Sequence, residues 1–198
     1  ERWKRKKEKE AIKYPAKKGL KGCPFDCGLC EEHRTNTCTA LIEVTQNCNL
    51  NCSFCFADSY GLKEKDPSIE EIIFQYESLM KASGACNVQL SGGEPTLRQD
   101  LPFIIEVGRE IGFHFIQINT NGIRIGEDKN YLKSLKNAGL SSVFLQFDGT
   151  KDRIYQSLRG RELLEIKKKA IENCKDLEVG VILVPTVVPE VNNDNLGD

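Results

Sequence analysis

The sequence has no hydrophobic run long enough to cross a membrane. Its longest apolar stretch, residues 179–188, is interrupted by Pro185 and is shorter than the roughly 18 residues that suggest a membrane-spanning helix. We expect no signal peptide, because the N-terminus is charged and has no apolar segment. These two features predict a cytoplasmic protein. Residue 1 is not Met and no helix closes residues 191–198, so we expect part of a longer protein.

Disorder and a collagen-like chain are excluded by the composition, with 39% hydrophobic and 29% charged residues. The charge is divided unevenly. Residues 1–22 carry ten basic and three acidic residues, a net charge of +7, and the remaining chain carries −8. Such a segment is typical of a solvated helix, although peripheral contact with an anionic membrane surface stays a hypothesis. The rest lacks the basic and aromatic pattern that follows a nucleic-acid strand, so no nucleic-acid partner is expected.

Cysteine is abundant. There are nine, an odd number, and seven of them fall within residues 23–55. With no secretory signal, this favours metal or iron–sulfur ligation over a disulfide framework. The first cluster contains Cys23, Cys27 and Cys30, followed by Cys38. Four thiolates suit either a structural zinc ion or an iron–sulfur cluster, and the spacing alone leaves both open.

The second cluster is Cys48-x3-Cys52-x2-Cys55. Three thiolates on a four-iron cluster would leave one iron open to bind another molecule, which chemistry requires and a closed structural site does not. Cys38 is assigned to the first cluster, because the segment between it and Cys48 resembles a strand that would carry it away. The two remaining cysteines are predicted to be small core residues; they are Cys86 and Cys174.

Beyond residue 40 the hydrophobic pattern alternates between strands and helices. The predicted strands are Ala40–Thr45, Asn87–Ser91, His114–Asn119, Ser142–Asp148 and Val179–Val184. The predicted helices run from Ser68 to about Lys81, from Asp100 as N-cap to about Gly112, through residues 131–138, and from about Arg161 to Cys174. Ser68 and Glu71 form a predicted capping box. Repeated βα units predict an α/β fold with a parallel sheet.

Four of the predicted strands alternate apolar and polar residues, although buried parallel strands are usually apolar throughout. We therefore expect one face to pack on helices and the other to line a polar cavity, with its ligand at the carboxyl ends of the strands. The turn Ser91-Gly-Gly-Glu-Pro95 follows the second strand there, and Glu94 is a candidate acceptor for an ammonium group. Taken alone, this turn is typical of any βα unit. Residues 167–169, three lysines, are interpreted as a solvated helix face.

The three-cysteine motif after a first strand, with Gly92-Gly93-Glu94-Pro95 after a second, resembles the radical S-adenosylmethionine (SAM) superfamily over about residues 40–188. The resemblance implies a partial (βα)6 barrel, with about five βα units at residues 40–198 and truncation at the C-terminus. Residues 1–39 would then be a basic arm and a cysteine-rich, cluster-binding extension.

The resemblance also implies cofactors and residue roles. A [4Fe–4S] cluster on Cys48, Cys52 and Cys55 would bind SAM, and an electron donor such as ferredoxin or flavodoxin would reduce it. Cleavage of SAM would give a 5′-deoxyadenosyl radical that abstracts hydrogen from an unactivated C–H bond, so no protein side chain is assigned as catalytic. The implied SAM contacts are Phe54 (adenine), Gly92, Gly93 and Glu94 (ammonium group), Gln146 and Asp148 (ribose), and Arg159 (carboxylate). Pro95 and Asn121 are implied to belong to the same site.

Residues 23–33 and 37–45, Val88–Pro95 and Val184–Pro189 resemble the tetraether lipid synthase subgroup. That resemblance implies C–C coupling of lipid alkyl chains and an auxiliary [4Fe–4S] cluster on the first four cysteines. A second hypothesis keeps the radical chemistry but replaces the lipid with a pterin, as a methyltransferase would use, or a peptide. A third, from another class, is a structural or electron-transfer module that holds iron–sulfur clusters or zinc.

Overall fold

The computed structural model describes residues 37–55, 59 and 65–195. Strands and helices alternate along them. The strands are β1 (Thr39–Thr45), β2 (Asn87–Gly92), β3 (Ile116–Thr120), β4 (Ser142–Gln146) and β5 (Gly180–Val184). The helices are α1 (Ile69–Ser83), α2 (Leu101–Ile111), α3 (Ile123–Glu127), α4 (Lys129–Asn137), α5 (Asp152–Arg159) and α6 (Leu164–Asp176), and a 3₁₀ turn covers Pro95–Leu97.

The five strands form one parallel sheet in the order β1-β2-β3-β4-β5. Each strand pairs with the strand before it in the sequence, so every connection crosses over and every strand presents its carboxyl end at the same edge. This arrangement confirms the predicted α/β fold and is that of a partial barrel. The five predicted strands all form, with bounds that differ by up to two residues.

The apolar residues of β1–β4 lie on one face and form the main core with the helices, as the alternation predicted. That face consists of Ile42, Val44, Val88, Leu90, Ile116, Ile118, Val143 and Leu145. On the opposite face, polar side chains bond across neighbouring strands. Asn119 Nδ2 donates to Ser91 Oγ at 3.2 Å and Asn119 Oδ1 accepts from Gln89, while Ser142 Oγ bonds Gln117 Oε1 at 3.2 Å. The polar face therefore carries hydrogen bonds between β2 and β3 and between β3 and β4.

The predicted capping box at the start of α1 is present. The Glu71 amide donates to Ser68 Oγ at 3.2 Å, and the Ser68 amide donates to Glu71 Oε2 at 2.7 Å. Asp100 stands at the N-cap of α2 but does not cap it with its side chain, because its carboxylate binds Arg98 instead.

The last predicted helix begins at Leu164 rather than Arg161. Asp152 Oδ1 accepts hydrogen bonds from the Leu163 and Leu164 amides, both at 2.9 Å, which holds the chain entering α6. Two further helices, α3 and α5, were not predicted. No helix in the described part of the chain combines the length and the hydropathy that a membrane crossing requires.

Candidate functional site

The loop that follows β1 carries Cys48, Cys52 and Cys55, as predicted. Cys48 and Cys52 are half-buried and Cys55 is exposed. Burial raises the pKa of Cys48 to about 11, and Glu94, Cys52 and Cys55 act in the same direction. Across residues 37–55, 59 and 65–195, no three His, Cys, Asp or Glu side chains are already gathered around a metal-sized space. The loop thus brings three thiols near one another without forming a closed coordination shell.

The base of this cysteine loop is fastened by Asp66. Thr45 Oγ1 donates to Asp66 Oδ1 at 2.6 Å, and Asn47 Nδ2 donates to the same oxygen at 2.9 Å. Arg98 joins the same two chain segments, because its Nη1 donates to the Val44 carbonyl at 2.7 Å and to the Pro67 carbonyl at 2.8 Å. These bonds fix the two ends of the loop against each other.

The middle of the cysteine loop is held by distant parts of the chain. Ser53 bonds the end of α5, through its hydroxyl to the Ser157 carbonyl at 2.9 Å and through its amide to the Leu158 carbonyl at 3.1 Å. Asn121, just after β3, donates from Nδ2 to Asn49 Oδ1 at 2.7 Å. Asn121 therefore lies beside the cysteine loop, and its contact with SAM stays a prediction.

Gly92 and Gly93 allow the turn after β2 to pack directly against the start of the cysteine loop. The Gly93 amide donates to the Thr45 carbonyl at 2.8 Å, and the Glu94 amide donates to the Asn47 carbonyl at 2.8 Å. A Cβ atom at Gly92 would lie 1.9 Å from the Thr45 oxygen, and one at Gly93 would lie 2.2 Å from the Asn47 oxygen. Gly92 also has φ of 126°. No residue with a side chain fits at either position without moving the loop.

Glu94 is buried, with 1% exposure, and its carboxylate is a hub of hydrogen bonds. Oε1 accepts from the Thr96 amide at 3.1 Å, from the Thr96 hydroxyl at 2.6 Å and from the Thr120 hydroxyl at 2.6 Å. Oε2 accepts from the Asn121 amide at 2.7 Å. The carboxylate thereby locks the turn after β2 to the end of β3. Its contact with the ammonium group of SAM stays a prediction. Both carboxylate oxygens already accept hydrogen bonds within the protein.

Asp148, just beyond β4, is equally buried and pairs with Arg159 at the end of α5. The guanidinium binds in a bidentate manner, from Nε to Oδ2 and from Nη2 to Oδ1, both at 2.8 Å. The Thr186 amide donates to Oδ1 at 3.0 Å, and Gln146 bonds Oδ2. The ribose contact of Asp148 and the carboxylate contact of Arg159 stay predictions, and the structure shows that each charge has the other as partner.

Arg159 also reaches the cysteine loop. Burial would lower the pKa of Arg159, but Asp148 raises it above its usual range, and a side-chain hydrogen bond with Cys52 acts in the same direction. A permanent positive charge therefore lies beside one of the three thiols.

The interpretation of residues 167–169 as a solvated face is wrong for Lys167. Its side chain is completely buried, and Nζ donates to the Asn121 carbonyl and to Gln146 Oε1 at 3.0 Å. Lys168 is exposed and pairs with Glu165, as the prediction required. The sequence did contain the signal, because Lys167 shares a helical spacing with Leu163, Ala170 and Cys174, all of them buried.

The remaining predicted residues fall in different places. Phe54 is 57% exposed beside Cys55, and Pro95 is buried at the start of the 3₁₀ turn. Cys38 precedes β1, so the seven residues of that strand separate it from Cys48, as predicted. Cys174 is fully buried and Cys86 packs against the core. The other three residues of the predicted auxiliary cluster lie outside the described residues; they are Cys23, Cys27 and Cys30.

The donor set fits a [4Fe–4S] cluster with three protein ligands. Thiolates are the usual ligands of such clusters, and the loop carries three of them within eight residues, beside a buried guanidinium and above a polar layer at the carboxyl edge of the sheet. In α/β folds ligands bind at this edge. The residues present therefore fit a thiolate-bound cofactor at this edge of the sheet.

The sequence profile of the Radical SAM superfamily matches residues 42–198. The chain belongs to this superfamily, and membership implies a [4Fe–4S] cluster and SAM as cofactors. The predicted superfamily is thus confirmed, while the tetraether lipid synthase subgroup receives no support from the relatives described next.

Two curated relatives illustrate the sequence similarity. The 7,8-dihydro-6-hydroxymethylpterin dimethyltransferase of Methanocaldococcus jannaschii is 48% identical over 179 residues, covering 89% of this chain and 35% of that protein. The probable GTP 3′,8-cyclase of Methanothermobacter marburgensis is 34% identical over 145 residues, covering 72% of this chain and 45% of that protein. The chain thus spans between about a third and a half of the length of these relatives.

Solved structures share the fold. Native anSMEcpe with bound AdoMet matches with a TM-score of 0.62 and 25% identity, covering 74% of this chain and 43% of that one. Methylornithine synthase (PylB) matches with a TM-score of 0.61 and 20% identity, covering 79% of this chain and 46% of that one. The second similarity concerns the fold alone.

Proposed function

We propose that the protein cleaves SAM reductively and that the resulting 5′-deoxyadenosyl radical takes a hydrogen atom from a pterin. In the favoured outcome, methylation, the pterin radical would gain one electron from the reductant and a methyl group from a second SAM, which would leave as S-adenosylhomocysteine. The cluster, when bound by Cys48, Cys52 and Cys55, would supply the electron that converts SAM to methionine and a 5′-deoxyadenosyl radical. The observation that carries the proposal is the fastening of the three-cysteine loop against the Gly92–Gly93 turn at the carboxyl edge of the sheet.

The chain's own residues would orient the reactants and exclude water. Asn121 and Gln146 present polar groups at the ends of β3 and β4, and we propose that they contact SAM together with Phe54, which is exposed beside the cysteine loop. Holding a reacting bond in a fixed and dry pocket is the protein's contribution in enzymes whose cofactor performs the difficult step.

The pterin substrate is favoured by the 48% identity to the dihydropterin dimethyltransferase, which extends over 89% of this chain. A second candidate is cyclisation of GTP, because a relative with that activity in its name is 34% identical. These relatives do not favour the lipid coupling that the sequence resemblance implied. Pterins and GTP both carry a fused pyrimidine ring with hydrogen-bonding groups, so the polar face of the sheet suits either better than it suits an alkyl chain.

The first experiment is anaerobic reconstitution with iron and sulfide, followed by dithionite, SAM and one of three substrates: a dihydropterin, GTP or a lipid. We expect 5′-deoxyadenosine in all reactions and a modified product only with the dihydropterin, detected by mass spectrometry. A product from GTP would replace the pterin proposal with cyclisation, and a coupled lipid would restore the tetraether interpretation.

Two cysteine variants control this experiment. Cys52→Ala removes a thiol of the loop, and we expect it to abolish both 5′-deoxyadenosine and the iron–sulfur absorption of the second cluster. Cys86→Ala removes a thiol near β2, away from the loop, and we expect it to retain both. Zinc in place of iron, with no 5′-deoxyadenosine, would contradict the radical mechanism and favour a structural module.

Three further predictions accompany the proposal. Cys23, Cys27, Cys30 and Cys38 would hold an auxiliary [4Fe–4S] cluster, which predicts about eight iron atoms per chain rather than about four. A ferredoxin or flavodoxin would replace dithionite as electron donor.

Residues 1–22 would support peripheral contact with anionic membranes, which predicts salt-sensitive liposome binding that is lost when they are deleted.

A further inference from the structure

Lys167 is a buried charge for which the proposed chemistry has no direct use. It lies on α6 with its side chain completely excluded from solvent. Its Nζ donates to the Asn121 carbonyl, which follows β3, and to Gln146 Oε1, which ends β4. It also lies 5.8 Å from the centre of the Tyr155 ring. One ammonium group thus joins two neighbouring strands at the edge where SAM is expected.

The two partners of Lys167 are the residues that face that edge. Asn121 connects onward in two directions, from its amide to Glu94 Oε2 at 2.7 Å and from its side chain to Asn49 in the cysteine loop at 2.7 Å. Gln146 bonds Asp148 on the opposite side. Lys167 therefore links Asn121 to Gln146 in a hydrogen-bonded chain that runs from the cysteine loop to Asp148.

Packing alone does not account for a lysine at this position. Burial lowers the pKa of Lys167 to about 8, with Arg159 acting in the same direction, although Asp148, Glu94 and Cys52 favour the charged form. The ammonium is thus kept in the interior at a cost in stability. An apolar residue of similar length would fill the same space without that cost. A costly buried charge is expected where it serves a function rather than the fold.

We propose that Lys167 is a positioning residue of the SAM site, whose ammonium group fixes Asn121 and Gln146 for SAM binding. This inference rests on the proposed function for its cofactor, but not for its substrate. It assigns a role to a residue of α6 that does not itself touch the cysteine loop.

The experiment compares Lys167→Met with Lys168→Met in the reconstituted protein. SAM is titrated anaerobically, and its binding is followed by the change that it causes in the EPR spectrum of the reduced cluster. We expect Lys167→Met to weaken SAM binding about tenfold, the size expected from misplacing one or two hydrogen bonds. Its iron content should match wild type and its unfolding midpoint should be no lower. Lys168→Met removes an exposed lysine of the same helix and should bind SAM as wild type does.

A second variant, Lys167→Gln, keeps a hydrogen-bond donor without the charge, and we expect it to restore part of the affinity. Wild-type affinity in Lys167→Met would overturn the inference. So would a loss of affinity that both variants show in proportion to lost iron or lost folded protein, because that pattern indicates a purely structural role. If wild type itself binds no SAM, the proposed function is wrong. If wild type and Lys167→Met bind SAM equally well, only the role of Lys167 is wrong.

Discussion

Two buried carboxylates lie at the same edge of the sheet and are bound by different kinds of hydrogen-bond donor. Glu94 and Asp148 each have 1% exposure. Glu94 accepts only from backbone amides and threonine hydroxyls, which are neutral donors. Asp148 is bound by the guanidinium of Arg159 through two bonds of 2.8 Å. The first carboxylate joins β2 to β3, and the second joins β4 to α5 and to the residues after β5.

The difference suggests separate roles. A carboxylate held by four neutral donors is fixed in orientation, because every donor has its own direction, and none of those donors is a cation. A carboxylate paired with a guanidinium loses most of its field to its partner and serves as a mechanical joint. We therefore expect substitutions at Glu94 to change the electric field within the site, and substitutions at Asp148 or Arg159 to change the stability of the fold.

The largest effect is expected from breaking the ion pair. Arg159→Leu leaves the Asp148 carboxylate buried without its cation, and we expect a loss of about 3–5 kcal/mol in the free energy of unfolding, measured by urea denaturation. The matched control is Arg153→Leu on the same helix, whose pair with Asp194 is exposed and should contribute less than about 1 kcal/mol. Equal losses in the two variants would show that Asp148 is solvated and that the comparison above is mistaken.

An intermediate effect is expected from Glu94→Gln. The amide group cannot accept on both sides, so at least one of the four donors at Glu94 loses its partner inside the protein. We expect a loss of about 2–3 kcal/mol in the free energy of unfolding, the cost of one or two buried unsatisfied groups. Glu106→Gln, on an exposed position of α2, provides the control and should change little. A small effect at Glu94 would mean that its donors find water instead.

The smallest effect is a pH dependence. The pKa of Lys167 is lowered from 10.5 to about 8, so between these two values the unfolded chain binds more protons at this residue than the folded chain does. Stability contributed at Lys167 therefore rises with pH across that window. Relative to Lys167→Met, wild type should gain about 2–3 kcal/mol in the free energy of unfolding from about pH 8 to 10.5. Urea denaturation of both proteins at several pH values in this range measures the difference. If the difference in unfolding free energy between the two proteins does not change with pH, the pKa of Lys167 is not lowered in the folded protein.

Lys168 offers the control for that titration. Its pKa is raised by Glu165, so any effect of Lys168→Met has the opposite sign. The thiols that titrate in the same range are common to all these variants and cancel in the comparison.

Most strands and helices could be predicted because each follows from a pattern of neighbouring residues in the sequence. Alternation of apolar and polar residues located β1 to β4, and the Ser68–Glu71 pair located the start of α1. The position of the cysteine loop followed from its place after β1. Short helices such as α5 were missed, because eight residues give less than three turns of periodicity.

The partners of the charged side chains could not be predicted in the same way. Asp148 meets Arg159, and Asp66 closes the cysteine loop through Thr45, only because the folded chain brings them together. Lys167 is a different case, since its helical spacing marked it as inward-facing. The interpretation as a solvated face followed residue type, and the spacing was the better guide.

The order of the strands has a consequence for how the protein is made. Because each strand pairs with its predecessor in the sequence, the partner that β2, β3, β4 and β5 each need has already been synthesised when that strand leaves the ribosome. The three cysteines of the loop emerge early, whereas the Ser157 carbonyl that holds Ser53 is synthesised 104 residues later. The contact that holds the middle of the cysteine loop can therefore form only after residue 157 has been synthesised.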